Sequence, residues 1–217
     1  MAKVKKIGVT LRIVENQTYH ESRDALSHDW VSFLYRNNYL PVLIPNGLLD
    51  PADYFRTMGC NALIFTNGEN VKLSIDDSGQ YSGTKRDLTE ARLLSYAINC
   101  NIPIIGVCRG MQFINVYFRG KLSGEIREHV VESHKIEIID KRFQDMLNNK
   151  SITTNSYHNQ GVLIDTLAKD LIPWAVKDNV VEAIYHKKYP ILAIQWHPER
   201  SNLSQEIDKK LFGFVFE

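Results

Sequence analysis

The chain is poor in cysteine. Among 217 residues there are three, Cys60, Cys100 and Cys108. A small, odd number argues against a disulfide-stapled secreted scaffold and for a reduced, cytoplasmic protein. No apolar run approaches the roughly 20 residues that span a bilayer. The opening residues, MAKVKKIGVTLRIVEN, carry charge but not the apolar centre of a signal peptide. An excess of charge is missing too: 26 Lys and Arg against 25 Asp and Glu leave a formal net charge of +1. A dedicated nucleic-acid or anionic-membrane binder needs a basic excess on one face, so neither partner is expected. Repeats, low-complexity tracts and Pro-, Gly- or Ser-rich linkers are absent from the sequence. It contains neither a P-loop nor a dinucleotide fingerprint. His129 and His134 lie five apart with no cysteine at metal spacing, which argues against a zinc site. No cofactor or metal is expected.

What remains is a globular composition. Hydrophobic residues make up 44% of the chain, and a chain of this length buries roughly 70% of its unfolded surface. Disorder as the main state is excluded. With no break in composition, residues 1–217 read as a single domain.

The first half alternates β-rich runs with amphipathic stretches. KKIGVTL, YLPVLIP, NALIFT and IPIIGV read as strands. Residues 22–35 read as a helix whose buried stripe includes Ala25, Trp30 and Leu34. Residues 87–99 read as another, with Ala91, Leu94 and Ile98 at helical spacing. IPIIGV is continuously apolar, which suits a parallel strand covered on both faces. This order predicts a three-layer α/β/α fold with a mostly parallel central sheet and right-handed crossovers. The second half is more β-rich and predicts additional hairpins and strands, from LSGEIREHVVESHKIEIID, SITTN, GVLI, VVEAIYHKKYP and ILAIQW. A last helix is expected over residues 204–216. Cys60 and Cys100 adjoin apolar segments and read as buried thiols.

Chemistry is concentrated in two segments. In Ile104–Asn115 an apolar strand enters G-x-C-x-G and then a helix-compatible stretch. This is the cysteine form of a nucleophile elbow, a tight strand-to-helix turn that projects the nucleophile. Gly106 and Gly110 suit a place where strand and helix backbones crowd together. A thiol there lies near a helix N-terminus, which favours thiolate. The competing reading is a small buried residue at a strand end. The second segment is Ile194-Gln195-Trp196-His197-Pro198-Glu199. In extended chain, residues two apart share a side, so Glu199 can orient His197. A thiol nucleophile needs such a base. Taken alone, this pair reads more readily as an exposed histidine beside a chance glutamate.

Together these segments resemble the class I glutamine amidotransferase superfamily, which uses a Cys-His-Glu triad. The likeness extends to the gamma-glutamyl hydrolase (peptidase C26) branch. It is carried by Lys85-Arg86-Asp87-Leu88-Thr89-Glu90, GVCRGMQFINV, His129, Asn155-Ser156-Tyr157-His158-Asn159-Gln160 and QWHPE, in order, from about residue 4 to residue 215. The resemblance implies a flavodoxin-like sheet of the amidotransferase type. It implies Cys108 as nucleophile, His197 as base and acid, and Glu199 as the orienter of His197, acting through a gamma-glutamyl thioester. For the oxyanion it implies the backbone N–H groups of Arg109 and Gly68. The family pattern GGxD is NGEN here, so Asn67 is a departure next to Gly68. Gln112 corresponds to a residue that helps bind the glutamyl group. Ser156, Tyr157 and His158 match the segment at the substrate's amino-acid end, and His158 is also a candidate leaving-group contact. Arg86, Asp87 and Glu90 read either as a structural or substrate-side cluster or as a solvated helix start.

The implied partner is a small gamma-glutamyl compound, a nucleotide-linked one included. The polar stretch 15–29 would lie nearest the leaving group. Residues 20–23 and 81–85 are candidates for loops over the cysteine, and Trp196 for packing beside it. Two other functions fit the same residues: a glutaminase subunit passing ammonia to a separate synthetase chain, and a catalytically silent binding module. The oligomeric state is not legible.

Overall fold

The structure is a computed structural model that describes residues 4–124, 126 and 130–217. His129 lies outside the described residues. The first half holds strands β1 (Lys5–Thr10), β2 (Arg12–Glu15), β3 (Ser22–Ala25), helix α1 (His28–Arg36), β4 (Tyr39–Ile44), α2 (Pro51–Thr57) and β5 (Ala62–Phe65). Then follow β6 (Ser74–Ile75), β7 (Tyr81–Ser82), α3 (Lys85–Cys100), β8 (Ile104–Val107) and α4 (Arg109–Tyr117). The second half adds β9 (Val130–Ile138), α5 (Lys141–Leu147), β10 (Ser151–Tyr157), β11 (Val162–Leu163), β12 (Leu171–Lys177), β13 (Val180–His186), β14 (Ile191–Ile194) and α6 (Gln205–Phe216).

One sheet takes strands from both halves, in the order β10-β9-β12-β13-β14-β8-β5-β1-β4, with β11 beside β13. The pairs β4·β1, β1·β5, β5·β8 and β8·β14 are parallel. Beyond β14 the pairings are antiparallel. The parallel sheet is thus borne out, and the strands of the second half extend it. The apolar runs in β5, β8 and β14 are buried at every residue, as a sheet covered on both faces requires. Alternation sorts their side chains between two cores: Ile105 and Val107 face the layer of α1, α5 and α6, whereas Ile104 faces that of α2, α3 and α4. These are the three expected layers.

Several elements differ from the sequence reading. The helix expected over 22–35 begins only at His28, where the Ser27 side chain accepts from the Asp29 N–H. Residues 22–25 instead form β3, paired antiparallel with β2. Asp24 anchors this hairpin by accepting from both the backbone and the side-chain nitrogen of Asn46. The polar SRDA segment has no apolar stripe to hold it on a helix, so tertiary pairing decides. Sequence reading also passed over β12, whose Pro173 counts against a central strand. Register shifts between Pro173 and Val176 accommodate the proline. Helices α2 and α5 are too short for a clear period, although Asp50 and Asp140 cap them as N-cap residues should. Cys60 is half-buried and Cys100 is exposed, so the expected burial of both thiols does not hold. Cys100 is the last residue of α3, before the left-handed Asn101 that ends the helix.

The crossing of β8 into α4 brings backbones close together. A Cβ on Gly110 would stand 2.1 Å from the Phe65 carbonyl oxygen of β5, and one on Gly106 would stand 2.9 Å from the Gly110 backbone. Both contacts demand glycine. Gly213 in α6 is different, since its Cβ would meet nothing closer than 3.7 Å. Gly110→Ala should therefore cost about 2 kcal/mol or more, as overpacking against backbone does. Gly213→Ala should add about 0.5–1 kcal/mol of helix stability. Urea denaturation of both variants checks the contrast, and equal midpoints would refute it.

Candidate active site

Cys108 stands between β8 and α4 with φ 52° and ψ −104°. That backbone is costly for a non-glycine residue and persists only where its surroundings enforce it. The enforcement is visible. The Cys108 N–H donates to the Ile194 carbonyl at 2.8 Å, and its own carbonyl accepts from the Gln112 N–H at 3.1 Å. The sulfur-bearing residue caps α4 without a side-chain bond of its own. Arg109 is the first residue of that helix, where a backbone N–H has no intrahelical acceptor.

Parallel register brings the second segment alongside. Ile194 pairs with Val107, so β8 and β14 end together. The chain beyond β14 carries His197 to Cys108. Asn155, at the end of β10, holds the His197 backbone from both sides. It accepts from the N–H at 2.8 Å and donates to the carbonyl at 2.9 Å. His197 Nδ1 lies 2.8 Å from Glu199 Oε1, and both side chains are almost wholly buried. Nε2, the other ring nitrogen, makes no hydrogen bond of ordinary geometry among the described residues. Cys108 is the group that acts on it. Burial disfavours the imidazolium, but the interaction with Cys108, helped by Glu199, outweighs it and raises the His197 pKa to about 9. The shift favours the protonated ring. Trp196 is buried behind this pair, with its indole N–H donating to Asp208 at 2.8 Å.

The turn after β5 carries Gly68, whose φ of 154° favours glycine. A Cβ there would stand 2.3 Å from Arg86 Nη1. The solvated reading of Arg86, Asp87 and Glu90 is overturned, because all three are fully buried. Arg86 donates to the carbonyls of Thr66 at 2.7 Å and Asn67 at 3.2 Å, and to Glu69 at 2.9 Å. Its Nε donates to Glu90 at 3.0 Å. The Arg109 side chain turns inward and donates to Glu90 and Asp87. Burial works against an ionised Glu90, yet Arg109 and Arg86 hold its pKa below the usual range. Asp87 also completes a capping box with Thr84. Asn67, the departure in the turn, accepts from the buried Trp30 indole at 2.9 Å.

Gln112 is buried one turn after the cysteine, and its Nε2 donates to the Gln160 carbonyl at 2.8 Å. Ser156 and His158 are buried, while Tyr157 is about two-fifths exposed. The Tyr157 ring packs edge-on against His197, with centroids 5.4 Å apart, and the Arg200 guanidinium lies 4.2 Å over it. His158 Nε2 faces Glu182 at 3.6 Å, on the same carboxylate oxygen that His134 approaches at 3.5 Å. Sequence reading did not find Asn155 as the clamp on His197, or Glu182. It named Asn155 only as part of a segment, and nothing local marks its partner 42 residues on. Residues 81–85 do not form the expected loop: Tyr81 and Ser82 pair with β6, and Tyr81 stacks on Tyr117. No group of His, Cys, Asp and Glu among the described residues could hold a metal ion. Among them, too, no helix is long and apolar enough to cross a membrane.

The peptidase C26 family profile matches residues 6–199. The chain belongs to the peptidase C26 family. It is 30% identical, over 97% of its length and 99% of the relative's, to the gamma-glutamyl-CDP-amidate hydrolase of Campylobacter jejuni. It is 32% identical to the carbamoyl phosphate synthase small chain of Pyrobaculum aerophilum, over 65% of this chain and 36% of that one. A glutamine amidotransferase structure from Thermotoga maritima shares the fold with a TM-score of 0.63, covering 98% of this chain and 83% of that one at 9% identity. Membership in the C26 family, with a hydrolase among these relatives, supports an enzyme that acts on amide bonds.

The His197 shift yields a test. Cys108→Ala should lower the His197 pKa from about 9, since burial then meets only Glu199. A group raised in the folded state contributes stability that is complete below its unfolded value. For His197 that contribution is lost as pH rises from about 6.5 through about 9. Cys108→Ala should therefore flatten the stability curve over that window. NMR titration of the ring and denaturation at several pH values check this. An unchanged ring pKa would mean that the sulfur does not reach it.

Proposed function

We propose that the protein hydrolyses a gamma-glutamyl amide through Cys108, His197 and Glu199. The observation that supports this reading is that Cys108 and the His197–Glu199 pair follow two adjacent parallel strands that end in register. The Cys108 sulfur attacks the gamma-carbonyl, forming an S–C bond and an oxyanion. The proton of the thiol resides on His197. Backbone N–H groups of Arg109 and Gly68 receive the oxyanion, where preorganised donors lower the barrier most. The C–N bond breaks, and His197 gives its proton to the departing amine. Water then attacks the thioester and yields its proton to His197. The S–C bond breaks, glutamate leaves, and the sulfur is restored. Glu199 holds the ring orientation throughout. Gln112, Ser156 and His158 line the glutamyl side.

The leaving group we favour bears phosphate. The likeness to a gamma-glutamyl-CDP-amidate hydrolase supports a nucleotide-linked substrate, which would give the chain a part in capsule phosphoramidate synthesis. Arg200 supports it physically. Its side chain is about one-third exposed, follows Glu199 directly and lies over Tyr157, which itself abuts His197. A guanidinium so placed can meet a phosphate by charge-assisted hydrogen bonds.

The likeness to a carbamoyl phosphate synthase small chain favours a second reading, a glutaminase that serves a separate synthetase. Glutamate release separates the two. The isolated chain should cleave a gamma-glutamyl amide with no partner present, and a partner-dependent subunit should idle. Cys108→Ala should abolish turnover while leaving substrate binding measurable by calorimetry. Turnover that survives this change would overturn the mechanism, and a Cys108 inert to a gamma-glutamyl affinity label would favour a silent binding module. Arg200→Ala should raise KM about 10-fold for an amide whose leaving group carries phosphate, in keeping with one lost charge-assisted bond. It should leave KM for a neutral gamma-glutamyl amide unchanged. Equal effects on both would remove Arg200 from substrate recognition.

A further inference from the structure

The Thr66–Gly68 turn and the Cys108–Arg109 turn belong to different crossovers, and they must face one another to within a few tenths of an ångström for two N–H groups to share one oxygen. A buried chain of charges joins them. Arg86 spans the first turn, donating to the Thr66 and Asn67 carbonyls while its Nη1 lies where a Gly68 Cβ would stand. Its Nε reaches Glu90 Oε1, which also accepts from the Thr10 hydroxyl at 2.7 Å. Glu90 Oε2 accepts from Arg109, whose backbone forms the second turn. Thr10 in turn receives the Thr66 N–H at 3.2 Å. Each of these side chains is essentially free of solvent.

We infer that Arg86, Glu90 and the Arg109 side chain are the positioning residues of the oxyanion hole, with Glu90 the joint that fixes one donor turn against the other. This rests on the hydrolase reading given above. The geometry separates their role from that of the triad. None of the hydrogen bonds or ion pairs described for Arg86, Glu90 and the Arg109 side chain goes to Cys108, His197 or Glu199. Loosening the network should therefore leave the sulfur's reactivity intact and impair only the step that builds negative charge on the substrate oxygen. A purely structural network would lower stability without that selectivity. Two opposed guanidinia around one carboxylate also explain the otherwise expensive burial, because each charge satisfies the other's desolvation only when the set is complete.

The test compares two reactions of the same thiol. Iodoacetamide alkylates Cys108 without forming an oxyanion, whereas gamma-glutamyl-p-nitroanilide acylates it through one. In Glu90→Gln, the acylation rate should fall about 100-fold, the scale of a lost oxyanion donor. Alkylation of Cys108 should stay within about twofold of wild type. Affinity for the anilide, measured in a Cys108→Ala background, should be as little changed. Arg86→Lys keeps the buried cation but not the fork to the two carbonyls, so it should show the same selective loss should Glu90→Gln fail to fold. Acylation at the wild-type rate in a folded variant would overturn the inference, as would an equal fall in alkylation. If wild-type protein alkylates but never acylates, the hydrolase reading itself fails, which is a different result from a loss confined to the variants.

Discussion

Everything at the site depends on a backbone that Cys108 would not adopt alone. Its positive φ is imposed by a strand and a helix that crowd so closely that Gly110 meets the Phe65 carbonyl where a side chain would be. The crowding places the sulfur at the end of β8 and the first N–H of α4 beside it. Local strain of this kind is stable only when the surrounding core over-determines it. Here the two fully buried neighbours, β5 and β14, supply that rigidity.

The second constraint is electrostatic. Two clusters of buried charge flank the cysteine and differ in kind. His197 and Glu199 form a compact pair whose ring pKa is raised beside Cys108. Arg86, Glu90, Arg109 and Asp87 form a fixed lattice that meets backbone carbonyls and the elbow. The first can exchange a proton, while the second contains guanidinium groups that do not exchange one in the working range. One cluster suits chemistry and the other suits geometry. Family membership, with a hydrolase among the relatives, supports amide chemistry as the class. The residues at the rim, Tyr157 and Arg200, carry the reading of a phosphate-bearing leaving group.

The parallel strands were legible because strands buried on both faces are continuously apolar, as in ALIF, IIGV and ILAI. The long helix α3 showed its stripe. What misled was local: SRDA sits beside a true helix start, and only its pairing with RIVE makes it a strand. The charges of α3 were ambiguous for a similar reason. Acidic residues at a helix start are ordinary on a surface, and nothing within RDLTE states that a core closes over it.

By itself the sequence determined the elbow, because G-x-C-x-G after an apolar strand specifies a tight turn through local sterics. It suggested the His197–Glu199 pairing from their spacing, although the two meet across a turn at Pro198–Glu199 and not in extended chain. It also carried the family likeness, since several short motifs occur in order. Only tertiary structure decided that β14 lies in register with β8, that Asn155 grips His197 from a distant strand, and that Arg86 and Arg109 share one carboxylate. These are contacts between residues far apart in the chain. Their energies depend on what else is buried around them, and no periodicity or local motif records that.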